Sequence, residues 1–176
     1  MKSSNNNNNP NQKIEHITEI NAPIETVWEA LIDVNDWDWN KWTRLEAGTG
    51  TPTSGLKGNL RACYEGNDKD WKTFDFEFTE VNSENHLLAW KGSVGGGCLF
   101  LGNHVMRLQE MIINDSSSGS GSGKKRTTTR LIHTETFSGL LPFLKLGLPY
   151  DTLNRNYRLM NESLKEFVEE QQNEKK

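Results

Sequence analysis

The C-terminal stretch constrains this chain most. Leu153, Tyr157, Met160, Leu164, Phe167 and Val168 recur at helical spacing, with Asn, Arg, Glu and Lys between them. The pattern predicts one long amphipathic helix over residues 151–171, whose apolar stripe must be covered by something. Upstream, the periodicity changes to two. Phe74, Phe76 and Phe78 alternate with Asp75, Glu77 and Thr79, which predicts a strand with one buried face. Further strands are expected over 14–20, 44–47, 60–64, 86–91, 98–113 and 126–137. Gly and Pro in 48–58 and Gly in 92–97 mark turns. A single short helix interrupts this order. Ile24, Val27, Trp28, Leu31 and Ile32 form its apolar face, with Asn21 as N-cap and Pro23 in its first turn. Hairpin-length connections predict an antiparallel sheet with helices on one face, an α+β fold.

The 176 residues predict one domain over 13–172. Residues 1–12 are Asn-rich and are expected to be a disordered tail. Residues 114–125 are Ser/Gly-rich and are expected to be a flexible hairpin loop. Lys124, Lys125 and Arg126 are read as its solubilising tip. The net charge is 20 − 24 = −4, without the basic face that general nucleic-acid binding needs. No apolar run is long enough to cross a bilayer, and the first residues lack the apolar stretch of a secretory leader. Cys63 and Cys98 are isolated and read as free thiols of a cytoplasmic protein.

The segment Ile20–Asp33, followed by Trp37 and Trp42, resembles the START-like helix-grip superfamily in its polyketide cyclase/dehydrase (SRPBCC) branch. The segment Thr128–Gly139 and the helix carrying Met160–Lys165 share the resemblance, which covers about residues 13–170. It implies a seven-stranded antiparallel sheet curled around the C-terminal helix, with a cavity between them. It does not imply one chemistry. Members include lipid and hormone binders, aromatases and cyclases, hydrolytic relatives and chaperone activators, so function must come from the site.

Register sharpens the site. If Leu108 pairs with Leu131, then Met106 faces His133 and His104 faces Glu135. One face then carries His104, Met106, Leu108, Leu131, His133, Glu135 and Phe137. The other carries Arg107, Gln109, Thr128, Arg130, Thr134 and Thr136 and should meet water. Tyr64, Phe76, Phe78 and Trp90 are added as cavity wall, and Tyr157 and Met160 as its helical side. The alternative for the phenylalanines is plain sheet core.

An apolar pocket with a few convergent polar groups is the usual form of a small-molecule site. His104, His133 and Glu135 are therefore expected to anchor a polar group of a hydrophobic ligand: a lipid, a sterol-like or a polyketide compound. The same three are the candidate catalytic residues of a cyclase or dehydratase, with a histidine as general base. A third reading is an internal His–Glu hydrogen bond that only shapes the core. The spacing matches no zinc signature, no nucleophile motif appears, and the glycine turns lack the phosphate-cradle pattern, so no metal or cofactor is expected. Trp37, Trp39 and Trp42 cannot share one face of a regular element, so at least one is expected to be exposed, as on a protein-interaction module. Residues 140–148 are apolar and read as a packed connection, a gate over the cavity, or a site of transient membrane contact. The chain is expected to be a monomer or weak dimer.

Overall fold

The computed structural model describes residues 13–67, 69–115, 124–144 and 149–174. The Asn-rich tract, residues 116–123 of the Ser/Gly segment and residues 145–148 lie outside them. Seven strands form one antiparallel sheet: β1 (Lys13–Ile20), β2 (Thr43–Glu46), β3 (Lys57–Ala62), β4 (Lys72–Asn82), β5 (Leu87–Val94), β6 (Phe100–Asp115) and β7 (Lys124–Ser138). Their order is β1-β7-β6-β5-β4-β3-β2, so the first strand closes against the last and β1 and β2 are the edges. Among the described residues three α-helices complete the fold: α1 (Ile24–Ile32), α2 (Leu140–Phe143) and α3 (Tyr150–Glu174). This is the helix-grip arrangement.

Several local expectations are corrected. Strand pairing reaches further into the Ser/Gly segment than composition suggested: Asn114 pairs with Lys125 and Asp115 with Lys124, so the basic cluster belongs to β7. Strand β5 runs on through Gly92 to Val94, and only Gly95–Gly97 makes the turn. Pro23 stands at the helix boundary without a side-chain cap, and the Asn21 N–H donates to Glu169 on α3 at 2.7 Å. All three tryptophans turn inward. Trp37 is 2% and Trp39 7% exposed, Trp42 is half-buried, and the Trp37 indole N–H donates to the Leu31 carbonyl at 3.0 Å. A 3-10 turn after α1 (Val34–Asp36) re-aims the chain, so regular-element spacing does not apply there. On the outer face, Arg107, Gln109 and Thr136 are exposed. Thr128 is buried, next to Thr129, whose hydroxyl donates to the Ala22 carbonyl at 2.8 Å.

Packing divides the interior along α3. Met160, Leu164 and Val168 join Val27, Trp28 and Leu31 of α1 and Phe76, Phe78, Leu88, Met106, Leu108 and Leu131 of the sheet in one core. Leu153 and Tyr157, one to two turns earlier, form a separate cluster with Ile14 and Phe137, flanked by Tyr64, Phe100 and Tyr150. Helix α1 covers the first region and leaves the second uncovered.

Candidate functional site

A cavity of about 160 Å³ lies at this second end. One row of the sheet explains the space. Gly58 pairs with Phe76, Phe76 with Gly92, Gly92 with Gly102, and Gly102 with Phe137. The two central strands therefore carry no side chain on the inner face at that row. A Cβ on Gly92 would meet nothing closer than Leu60 Cδ1 at 3.6 Å, so the room above it is open. A Cβ on Gly102 would instead collide with Glu135 Oε1: the carboxyl lies where that side chain would be. Trp42, Leu60, Tyr64, Phe74, Trp90, Phe100, Phe137, Leu141, Pro149 and Leu153 supply most of the wall. His104, Glu135, Asn156 and Tyr157 supply most of its polar groups.

Strand register sets those polar groups. Leu108 pairs with Leu131, Met106 with His133 and His104 with Glu135, the register expected from the sequence. The His104 ring stacks on Trp90, with centroids 4.0 Å apart and planes 13° apart, and meets Tyr157 edge-on at 5.0 Å. Behind it, His133 Nδ1 bonds Asn161 Oδ1 at 2.6 Å, and Asn161 Nδ2 donates to Thr18 Oγ1 at 3.2 Å. Asn161 thus presents its carbonyl oxygen, so His133 carries its proton on Nδ1. Its Nε2 is then the acceptor for the short hydrogen bond from His104 Nε2. His104 is left with a bare Nδ1, 3.8 Å from Glu135 Oε2.

Burial governs the charges here. It holds His104 well below the usual histidine range, with His133 adding to the effect. Burial likewise lowers His133 to about 4, against the Asn161 hydrogen bond, which favours the charged form. Both rings are neutral at pH 7. Glu135 is pushed the other way, to about 7, by desolvation, with a hydrogen bond from Tyr157 partly opposing it. Burial and the neighbouring Glu135 raise Tyr157 well above the usual phenol value. Among the described residues Glu135 Oε2 is buried without a hydrogen-bond partner. The arrangement offers one unpartnered carboxyl oxygen and one bare imidazole nitrogen in an aromatic wall, backed by His133 with both nitrogens engaged.

The family model described as polyketide cyclase/dehydrase and lipid transport matches residues 11–167. The chain belongs to that family. No curated protein sequence matches it. Solved structures show the same fold at low identity. Hypothetical protein jhp0584 from Helicobacter pylori aligns at TM-score 0.61 and 12% identity, over 90% of this chain and 88% of its own. TTHA0849 from Thermus thermophilus aligns at 0.58 and 16%, over 89% and 96%. The Zhui aromatase/cyclase from a Streptomyces species aligns at 0.58 and 15%, over 90% and 93%. Membership in the polyketide cyclase/dehydrase family supports a hydrophobic-ligand or cyclase role.

Of the residues expected in the cavity wall, Tyr64, Trp90, His104, Glu135, Phe137 and Tyr157 line it. Phe76, Phe78, Met106, Leu108, His133 and Met160 do not. These six face inward as expected, but the hydrophobic ones lie beneath α1 in the main core. His133 lies behind His104 with both nitrogens engaged. Parity along a strand fixes the face and leaves depth undetermined. Phe74 lines the cavity while Phe76 and Phe78, with rings 5.0 Å apart, go to the core. Gly92, two residues after Trp90, and Gly102, two before His104, have inward parity and were readable on that ground. Asn161 stands four residues after Tyr157, on the same helical face, although its polarity assigned it to solvent.

Proposed function

We propose that the protein reversibly binds a small hydrophobic molecule in the cavity between the sheet and α3, with Glu135 as its polar anchor. One observation carries this reading: the buried, unpartnered Oε2 of Glu135 in an otherwise apolar and aromatic wall. A buried polar atom without a partner costs about 1–3 kcal/mol, which a ligand group bonded to it recovers. Burying about 150 Å² of ligand apolar surface adds roughly 4 kcal/mol before association costs. The space of about 160 Å³ is close to the ~150 Å³ known to accept a benzene ring. It suits a ring-sized head group, and a lipid, sterol-like or polyketide ligand would extend out past the half-exposed Tyr64, Phe100, Leu141 and Pro149. No helix among the described residues is long and apolar enough to cross a membrane. The free Cys63 and Cys98 fit a reducing compartment and support a cytoplasmic location.

A cyclase or dehydratase activity is the second reading. It is favoured by Glu135 titrating near 7 beside Tyr157, where a carboxyl can both give and take a proton at neutral pH. His133 is no longer a candidate base in it, since it does not reach the cavity. The protein-interaction reading loses its surface, because Trp37 and Trp39 are buried. Native mass spectrometry of protein purified from its own cell tests the first reading: a retained small molecule that is lost in Glu135→Leu supports it. A polyketide-like compound converted by the wild type, with Glu135→Gln keeping affinity and losing turnover, would favour the enzyme instead.

A further inference from the structure

The polar atoms facing the cavity have a definite donor and acceptor balance. The Cys63 thiol donates to the Lys69 carbonyl at 3.0 Å, and Asn156 Nδ2 donates to the Tyr64 carbonyl at 2.9 Å. His104 Nε2 is committed to His133, and the Tyr157 hydroxyl favours the charged form of Glu135. Two atoms without a hydrogen bond face each other, His104 Nδ1 and Glu135 Oε2, 3.8 Å apart, and the Trp42 indole, Thr43 hydroxyl and Tyr64 phenol are further polar groups of the wall. That is too far for a direct hydrogen bond. Oε2 is closed to a water-sized sphere as it stands, so a ligand oxygen at about 2.8 Å from both meets it only when the carboxyl turns towards the cavity. Among the described residues, those lining the cavity include no Lys or Arg.

We infer that the cavity selects a neutral ring compound bearing a hydroxyl. That hydroxyl accepts a hydrogen bond from the protonated Glu135 carboxyl and donates one to His104 Nδ1. The inference rests on the cavity being the binding site and narrows what enters it. Alternatives satisfy the pair less well. A carbonyl only accepts and leaves His104 Nδ1 bare. A carboxylate brings negative charge to Glu135 with no lysine or arginine among the described residues of the wall. An ammonium group requires Glu135 to ionise inside an apolar wall, and desolvating both ions costs several kcal/mol each. Tyr64 and Tyr157, the other titratable groups near the carboxyl, remain neutral phenols because burial raises both. His133 faces the pair only through His104.

The test uses the full chain and one carbon skeleton: benzyl alcohol, toluene, benzaldehyde, benzylamine and benzoate. Binding is followed at pH 6 through the backbone amide signals of Gly92 and Gly102 by two-dimensional NMR. Benzyl alcohol is expected to bind about tenfold more tightly than toluene or benzaldehyde, the worth of one well-made buried hydrogen bond. Benzylamine and benzoate should bind more weakly still. In Glu135→Leu the ratio of alcohol to toluene affinity should fall to about one while toluene still binds. Gly92→Leu, which fills the cavity, should abolish binding of every compound. Tighter binding of benzylamine, benzoate or benzaldehyde than of the alcohol, or equal binding of toluene, overturns the hydroxyl preference and leaves the cavity reading intact. If no compound moves either glycine signal, or if Gly92→Leu binds as the wild type does, the cavity reading fails and the preference falls with it. The wild-type series decides the preference even if Glu135→Leu does not fold.

Discussion

Glu135 carries most of the chemistry, and its titration has a signed consequence for stability. Burial raises the folded carboxyl from 4.5 to about 7. Between those values the unfolded chain has released the proton and the folded chain has not, so this group's contribution falls as pH rises. His104 and His133 act in the opposite sense. Their folded values lie below 6.5, so the unfolded chain takes up protons first and stability falls toward acid. Glu135→Gln removes only the first effect. The stability of that variant relative to wild type, measured by urea unfolding, is expected to increase by about 3 kcal/mol between roughly pH 4 and pH 8. A difference that stays constant with pH would mean the carboxyl titrates as an ordinary surface acid. At this scale the sequence was partly legible. Period two and one assumed pair, Leu108 with Leu131, placed His104 opposite Glu135. They could not place His133 behind His104, because alternation carries no information about depth. They give Gly92 and Gly102 inward parity, but not the open row that results, because these glycines act through the side chains they lack.

Helix α3 shows how one element serves two purposes. Its apolar face was plain from spacing, but the division of that face depends on where α1 lies, which no local pattern encodes. Leu164 is fully buried between α1 and the sheet, whereas Leu153 borders the cavity. Truncating the first opens a new hole in close-packed surroundings. Truncating the second only enlarges an existing void. Leu164→Ala is expected to destabilise by about 3–5 kcal/mol and Leu153→Ala by roughly half that, as read from the midpoints of chemical unfolding. Equal losses would mean that the Leu153 end is packed as densely as the rest. The tryptophan segment was misread for a related reason. Trp37 and Trp39 follow a 3-10 turn, and irregular backbone has no period from which a face can be inferred.

For the whole molecule, fold class and topology were the most legible features, because they follow from the order of periods: strand, short helix, a run of strands, long helix. The cavity is a global property. It arises because α1 is too short to cover both ends of the sheet and because two adjacent strands place glycine at the same row. A compound that occupies this space binds only the folded chain, so it must raise the unfolding temperature by mass action. At about one hundred times its dissociation constant the gain is roughly 2.7 kcal/mol. For a chain of this length that corresponds to an upward shift of about 5–10 °C in Tm. Benzyl alcohol is therefore expected to shift the wild-type melting curve in a saturable way. The melting curve of Gly92→Leu should not respond, because its leucine already occupies the space. A Cβ at Gly92 meets only the Leu60 side chain, at 3.6 Å, and the cavity lies beyond it, so Gly92→Leu should melt no lower than the unliganded wild type. A lower melting point would show that the inner face at Gly92 is closed by its neighbours and that the hollow there does not admit a ring.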